Sequence, residues 1–365
     1  MKKIKVNPKS GAYDILIGFD IIKDIGSYIK KMNLGDSIFL ITSPRIGKLY
    51  LKPFLQGLKK YKYRDLKVAY VKDGEKNKSW NSYKSLLDEL VSFNVNNDKR
   101  ILVINLGGGV VGDIGGFVAA TYNRGVDYIQ VPTTLLAFVD CGIGGKTGID
   151  FKGIKNVLGA FHQPRLVFAD LELLETLPKR ELKSGLVEVV KYGVITDRNM
   201  FNSIEDTYEN ILELNKNSLL DIVCKSYKIK ADIVEKDEKD KLGIRVKLNY
   251  GHTLGHAIES ASRFAYRHGE AVSIGIVCAN DIALKLNLMN KNVCSRIENL
   301  LIKIGTPVKI KNCRLDNILD YFWHDKKFIN GKNRLVLARD IGKIQIRENI
   351  PMEIVKEVLR KRMER

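Results

Sequence analysis

Three of the five histidines fall in one short reach of the chain, at His252, His256 and His268. His252 and His256 belong to Asn249-Tyr250-Gly251-His252-Thr253-Leu254-Gly255-His256-Ala257, and His268 opens His268-Gly269-Glu270. Residues four apart share one face of a helix. Neutral imidazoles hold divalent metals and exchange protons near neutral pH. The spacing resembles the two histidines of H-E-x-x-H, but Thr253 stands where the general-base glutamate would be. The stretch is therefore no zinc-peptidase box. Two-thirds of a metal site, one ligand beside an acid/base, and a helix start with ordinary histidines all remain open.

A carboxylate that could complete such a site lies upstream. On a helix over 180–195, Glu181, Ser184, Glu188 and Lys191 form one polar stripe, among Leu182, Leu186, Val187, Val189 and Val190. On an exposed face Glu188 and Lys191 would make an ordinary i, i+3 pair. In a buried setting the glutamate would need a cation or metal. The stripe alone fits either.

Several glycine-rich turns could hold anions. Gly107-Gly108-Gly109-Val110-Val111-Gly112-Asp113 follows a strand and contains G-x-G-x-x-G. Such glycines let backbone approach a pyrophosphate at a helix N-terminus, or pack a helix on a sheet. Asp73-Gly74-Glu75-Lys76-Asn77-Lys78 follows another strand, and Thr133 and Thr134 close a third. The stretch from Asp140 through Gly144-Gly145-Lys146-Thr147 to Lys155 and Asn156 reads as a glycine-rich loop. It lacks the first glycine of a P-loop, and its Lys146, Lys155 and Asn156 suit phosphate or carboxylate. If Arg245-Val246-Lys247-Leu248-Asn249 were a strand, Arg245, Lys247 and Asn249 would share a face beside the histidines.

The elements that must carry these groups divide in two. Apolar runs at 14–18, 37–42, 67–71, 101–106 and 128–131 predict strands buried on both faces. Helical patterns such as 79–93 alternate with them, which predicts a doubly wound, largely parallel, Rossmann-like sheet. Beyond Pro178 helical patterns dominate, with a hairpin expected at 333–347. The expected domains are 1–178, α/β and dinucleotide-binding, and 179–365, mainly α-helical and binding metal and substrate.

The formal charge of +19 raises nucleic acid as a partner. The lysines are dispersed among acids and interleave with no aromatic groove, so no nucleic-acid partner is expected. A positive field does help collect a small anion. No apolar run reaches membrane-span length, and no apolar core follows the basic start, so neither a membrane partner nor a signal peptide is expected. Five scattered cysteines without C-x-x-C suit a reducing cytoplasm.

Taken together the motifs resemble the 3-dehydroquinate synthases, within the sugar-phosphate cyclase family, over about residues 14–347. The stretches that carry the resemblance are 73–78, 107–113, Gln130-Val-Pro-Thr-Thr-Leu-Leu136, 144–147, Lys155-Asn156, Leu177-Pro-Lys-Arg-Glu-Leu182, Gly185-Leu-Val-Glu-Val-Val-Lys-Tyr-Gly193, 249–257 and 268–270, in the family's order. Cys141 departs from a common serine, and the loop after Asp237-Glu238 is one residue longer than usual before Arg245. The resemblance implies a metal, zinc or alternatively cobalt, on Glu188, His252 and His268. It moves His256 to the substrate side as an acid/base or hydrogen-bonding group. It implies NAD against Asp73, Gly74, Glu75, Lys76, Asn77, Lys78, Gly109, Val110, Val111, Gly112, Asp113, Thr133, Thr134, Lys146, Lys155, Leu173, Leu174, Glu175 and Thr176. Substrate would meet Arg124, Asp140, Lys146, Asn156, Lys191, Lys230, Arg245, Asn249, His256 and one of Lys326 or Lys327. The implied reaction converts 3-deoxy-D-arabino-heptulosonate 7-phosphate, a small anionic sugar phosphate, to 3-dehydroquinate and phosphate. It runs by transient oxidation with NAD, elimination, re-reduction and aldol closure, in a cytoplasmic homodimer. The rivals are another cyclase such as 2-deoxy-scyllo-inosose synthase, and a metal-dependent alcohol dehydrogenase.

Overall fold

The computed structural model describes residues 1–364 apart from 60, 62, 64 and 324–331. The chain forms two compact units. The first comprises Met1–Leu177 with Ser226–Lys239, the second Pro178–Lys225 with Asp240–Arg365. The second unit is therefore not one uninterrupted run from 179, because the end of a long helix belongs with the first.

The strands of the first unit are β1 (Lys2–Val6), β2 (Tyr13–Gly18), β3 (Ser37–Thr42), β4 (Asp65–Tyr70), β5 (Ile101–Gly107), β6 (Tyr128–Pro132), β7 (Lys146–Phe151), β8 (Ile154–Phe161) and β9 (Leu166–Asp170). Its helices include α1 (Ile25–Met32), α2 (Pro44–Lys59), α3 (Trp80–Phe93) and α4 (Gly109–Thr121). Seven strands make one sheet in the order β1-β2-β9-β6-β5-β3-β4. Only β1 runs antiparallel, against β2 at the edge. On β3, Ile38 and Leu40 join α1 and α2 through Ile25, Ile29, Phe54 and Leu58. Phe39 and Ile41 join α3 and α4 through Tyr83, Leu86, Ile114 and Val118. Alternation along a strand thus feeds two cores, which is why these runs read as continuously apolar.

From β3 the chain passes through α2 to β4 on one side, and from β5 through α4 to β6 on the other. Adjacent β3 and β5 therefore flank a topological switch point, where open α/β sheets bind ligands at the strand carboxyl ends. The residues expected as a glycine-rich loop contribute the antiparallel pair β7–β8, registered Lys146 to Phe161 and Ile149 to Leu158.

The second unit holds α5 (Lys179–Thr196), α6 (Arg198–Leu212), the first part of α7 (Lys216–Lys236), α8 (His252–Ala261), α9 (His268–Lys285), α10 (Lys291–Ile304), α11 (Leu315–Trp323) and α12 (Met352–Arg362). The hairpin of β10 (Arg334–Asp340) and β11 (Lys343–Glu348) completes it. Every residue of α9 from Ala271 to Ala283 is buried, as is every residue of α5 from Ser184 to Ile195. Helices buried all round are the centre of a bundle. The α/β unit and the helical unit agree with the fold class read from sequence.

Candidate metal centre and dinucleotide cradle

In the second unit three helices meet where side chains vanish. A Cβ on Gly275 of α9 would lie 1.9 Å from the Gly251 carbonyl oxygen and 2.7 Å from Gly255 N. A Cβ on Gly269 would lie 2.0 Å from the Ser184 carbonyl oxygen of α5. These glycines let helix backbones touch. Gly251 also has φ +76 at the start of α8, a left-handed turn that favours glycine. The chemistry sits beside the contacts: His252 follows Gly251, His268 precedes Gly269, and Glu188 lies one turn beyond Ser184.

The result is a converging set. Glu188 Oε1 is 3.4 Å from His252 Nε2 and 3.6 Å from His268 Nε2. A tetrahedral zinc with bonds of about 2.0–2.1 Å sets its ligand atoms about 3.4 Å apart, so this donor set fits one. His252 Nδ1 is 3.0 Å from the Tyr250 carbonyl oxygen. A carbonyl only accepts, so Nδ1 carries the proton and Nε2 is left as a donor of electrons. The polar stripe of α5 is buried rather than solvated, with Ser184 at 2%, Glu188 at 0% and Lys191 at 1% exposure. Lys191 Nζ pairs with Glu188 Oε2. Glu181, at the stripe's outer end, pairs instead with Arg267 at 2.7 Å.

His256 stands close by, its ring centroid 5.3 Å from that of His252 and 5.6 Å from that of His268. The three imidazoles offer nitrogens all within 4.8 Å of one another. Distance alone thus lets His256 serve either as a ligand or as the group facing substrate. Sequence reasoning missed Glu259, a carboxylate at 4% exposure whose Oε2 lies 3.7 Å from His268 Nδ1. Its signal was present: it follows His252 by seven residues, two turns along one face of α8. Burial works against an imidazolium at His268, but Glu188 and Glu259 outweigh it and push the pKa up to about 10.

Arg245 and Asn249 lie on a 3-10 turn, Ile244–Asn249, and not on a strand. The alternating face expected of Arg245, Lys247 and Asn249 does not form. Arg245 is buried at 4% exposure, and Lys247 and Asn249 are half-buried. Lys326 and Lys327 lie outside the described residues.

The first unit gathers a second group. The loop Asp73–Lys78 follows β4, and Asn77 Nδ2 donates to the Asp73 carbonyl at 2.7 Å. Buried Lys78 pairs with Asp113 in α4 and donates to Asn156 Oδ1 in β8 at 2.5 Å. Desolvation opposes the Lys78 ammonium, but Asp113 and Glu75 outweigh it and raise its pKa. Lys155 Nζ lies 3.4 Å from Glu75. The structure thus joins 73–78, Asp113, Lys155 and Asn156 in one knot. Beside it, Gly107 to Gly109 turn from β5 into α4. A Cβ on Gly108 would meet only Thr134 Cγ2, at 3.1 Å and farther atoms of the same side chain, and one on Gly109 only Cys141. Thr133 N donates to the Gly107 carbonyl at 3.1 Å. Bare backbone at a helix N-terminus fits the pyrophosphate of a dinucleotide. Deeper in α4, Gly112 abuts Gln130 and Gly115 abuts Asn105, so the same glycines also seat the helix on the sheet.

Lys230, on the part of α7 that belongs to the first unit, lies 2.6 Å from Asp140 Oδ1. Leu173 and Leu174 are buried in the 3-10 turn Leu171–Thr176, while Glu175 and Thr176 are exposed. Tyr50 of α2 donates to the Leu173 carbonyl at 3.0 Å. Val110 is half-buried, Val111 is buried, and Lys146 is exposed at the head of β7. Arg124 is exposed in the turn after α4 with φ +63, and no hydrogen bond or ion pair among the described residues ties it to the others.

Comparison with known proteins gives a family. Residues 68–184 match the family model described as 3-dehydroquinate synthase N-terminal, and 185–328 that described as 3-dehydroquinate synthase C-terminal. A 3-dehydroquinate synthase of Prochlorococcus marinus is 41% identical over 98% of this chain and 98% of its own. That of Desulforamulus reducens is 41% identical over 96% and 97%. Among solved structures, a 2-deoxy-scyllo-inosose synthase complexed with carbaglucose-6-phosphate, NAD+ and Co2+ superposes with TM-score 0.89 at 25% identity, covering 99% of this chain and 100% of that one. A butanol dehydrogenase of Thermotoga maritima, at 17% identity and TM-score 0.69, covers 99% of this chain and 98% of its own and shares the fold.

Proposed function

The chain belongs to the 3-dehydroquinate synthase family, and from that premise we propose how its own residues divide the work. The activity is the family's: 3-deoxy-D-arabino-heptulosonate 7-phosphate becomes 3-dehydroquinate and phosphate. The observation that carries the reading is the convergence of Glu188 Oε1 on two imidazole nitrogens at 3.4 and 3.6 Å, in a chain whose other unit offers a dinucleotide cradle.

Glu188, His252 and His268 hold a divalent metal, zinc or cobalt. NAD is held by 73–78, 109–113, Thr133, Thr134, Lys146, Lys155 and 173–176. The metal supplies positive charge that acidifies a substrate hydroxyl, and NAD supplies a hydride acceptor that is restored within each turnover. The net reaction is then a phosphate-eliminating lyase reaction. His256 accepts and returns a proton at a substrate hydroxyl, beside the ligand histidines but not one of them. Arg245, with its planar fork, grips a carboxylate or phosphate in two contacts. Lys191, Lys230, Lys146 and Arg124 add cationic charge, while Asn249, Asn156 and Asp140 orient hydroxyls. Lys230 and Asp140 neutralise one another across 2.6 Å, so a bound anion competes with Asp140 for the ammonium. The homodimer and the cytoplasmic location belong to the same reading.

The deciding experiment supplies the heptulosonate phosphate, zinc and NAD far below the substrate concentration. Many phosphates released per NAD, with no accumulation of NADH, is the expected result. Stoichiometric NADH from simple alcohols would instead assign a dehydrogenase. Turnover of glucose 6-phosphate, the sugar that carbaglucose-6-phosphate mimics, would assign a different cyclase.

A further inference from the structure

Two of the three assigned ligands have a partner at the atom facing away from the metal position. The Tyr250 carbonyl takes His252 Nδ1 at 3.0 Å, and Lys191 takes Glu188 Oε2. His268 shows a comparable arrangement on a larger scale. Its Nε2 is 3.6 Å from Glu188 Oε1, and its Nδ1 is 3.7 Å from Glu259 Oε2. The His268 backbone is held next door, where Gly269 N donates to Ser184 Oγ at 2.9 Å. That contact holds the backbone beside His268 and not its ring.

Glu259 is only 4% exposed. Burying a carboxylate costs several kcal/mol unless it meets a cation or donors. An aliphatic side chain would fill the position without that cost. The expense is offset if the carboxylate takes the Nδ1 proton of a histidine whose Nε2 binds a metal. The 3.7 Å separation is longer than a hydrogen bond, and the proposal requires the two side chains to close it when metal is bound.

We propose that Glu259 is a positioning residue for the metal centre: its carboxylate accepts from His268 Nδ1, fixes the ring's tautomer and turn, and makes Nε2 a stronger ligand. The proposal rests on His268 being a metal ligand.

The test is zinc affinity of the chelator-stripped protein by competition with a zinc-binding dye. It compares wild type, Glu259→Gln, Glu259→Asp and His268→Ala, with NAD binding as the check of folding. Glu259→Gln is expected to bind zinc about 10–100-fold more weakly, with NAD affinity unchanged, and Glu259→Asp to recover part of the loss. The visible bands of the cobalt-loaded protein should shift in Glu259→Gln. Zinc affinity within about twofold of wild type and an unmoved cobalt spectrum would overturn the proposal. Should Glu259→Gln fail to fold, nitrogen NMR of the His268 ring in zinc-loaded wild type decides. An Nδ1 proton shifted downfield, as in a hydrogen bond to a carboxylate, supports the proposal, and an Nδ1 proton without that shift, or metal on Nδ1, refutes it. His268→Ala holding zinc as wild type does would sink the ligand assignment itself, a separate outcome.

Discussion

Gly275→Ala should open the proposed metal site without touching any of the residues proposed as its ligands. The added methyl would sit 1.9 Å from the Gly251 carbonyl oxygen and 2.7 Å from Gly255 N. Both obstacles are backbone of a neighbouring helix, so no rotamer change relieves them. Restoring ordinary contact requires α8 and α9 to part by about 1.5 Å. His252 follows Gly251 directly, so the displacement reaches the ligands at nearly full size. Metal sites tolerate about 0.2 Å in bond length. We expect zinc affinity to fall by at least about tenfold and kcat/KM by about 100-fold, the cost of roughly 1 Å of misplacement. Overpacking should also cost about 1–3 kcal/mol of stability. Zinc competition, denaturant unfolding and NAD titration are read together. Gly243→Ala is the control, because its Cβ would have nothing within 4 Å but its φ of +74 still strains the chain. It should lose about 1 kcal/mol and keep its zinc. If Gly275→Ala is destabilised yet holds zinc and turns over as wild type does, helix contact is not what sets the ligand spacing.

Other expectations follow from the same geometry. Glu188→Ala, His252→Ala and His268→Ala should each lose the metal by elemental analysis, whereas His256→Ala should keep it and lose about 10²–10⁴-fold in rate; loss of metal from His256→Ala would move it into the ligand set. Lys78→Met leaves Asp113 half-buried without its ammonium and should cost about 3–5 kcal/mol, much of it recovered when Asp113→Asn is added. Equal stability of the single and double variants would show that the pair is not coupled. Burial opposes the Glu238 carboxylate, but donors from Ser10 and from Gln163 at 3.1 Å outweigh it and hold its pKa low. Its stabilisation is therefore complete above the ordinary carboxylate range and lost as pH falls through the depressed native value. Glu238→Gln should cost about 1–2 kcal/mol at neutral pH and nothing in strong acid, and a gap that persists in acid would contradict the assignment.

What could be read from sequence was what local pattern decides. The strands at 37–42 and 101–106 were legible because burial on both faces makes the runs apolar throughout. The helix start behind Gly251 was legible in Gly-His-Thr-Leu-Gly-His, and the left-handed turn at Gly251 was not. Glu188 and Lys191 were ambiguous because their burial is decided by α8 and α9, far away in sequence. The pair β7–β8 was hidden by glycines that read as loop, since Lys146 finds its partner at Phe161. The 3-10 turn at 244–249 left a strand open as a possibility because alternating polar and apolar residues over six positions fit both. Glu259 was overlooked because its meaning depends on His268, which reaches it only through the fold.

The glycines of the two units look alike in sequence and do opposite work, which a pair of substitutions can separate. At the helix crossing, the atoms around Gly269 and Gly275 are largely backbone, so glycine there fills space that nothing larger can. At the cradle, the nearest atom to a Cβ on Gly109 is Cys141 Sγ at 3.2 Å, a side chain that can yield by a few tenths of an ångström. Gly109 is also the first residue of α4, where alanine suits a helix better than glycine does. Packing therefore tolerates Gly109→Ala, with stability within about 1 kcal/mol of wild type. If the proposed reading holds and backbone here approaches a pyrophosphate, NAD affinity should nevertheless fall by about tenfold or more, a cost of about 1.4 kcal/mol. Unchanged melting with weakened NAD binding marks glycine kept for a ligand, whereas lowered melting with unchanged NAD binding would mark glycine kept only to seat the helix and would remove 109–113 from the proposed cradle.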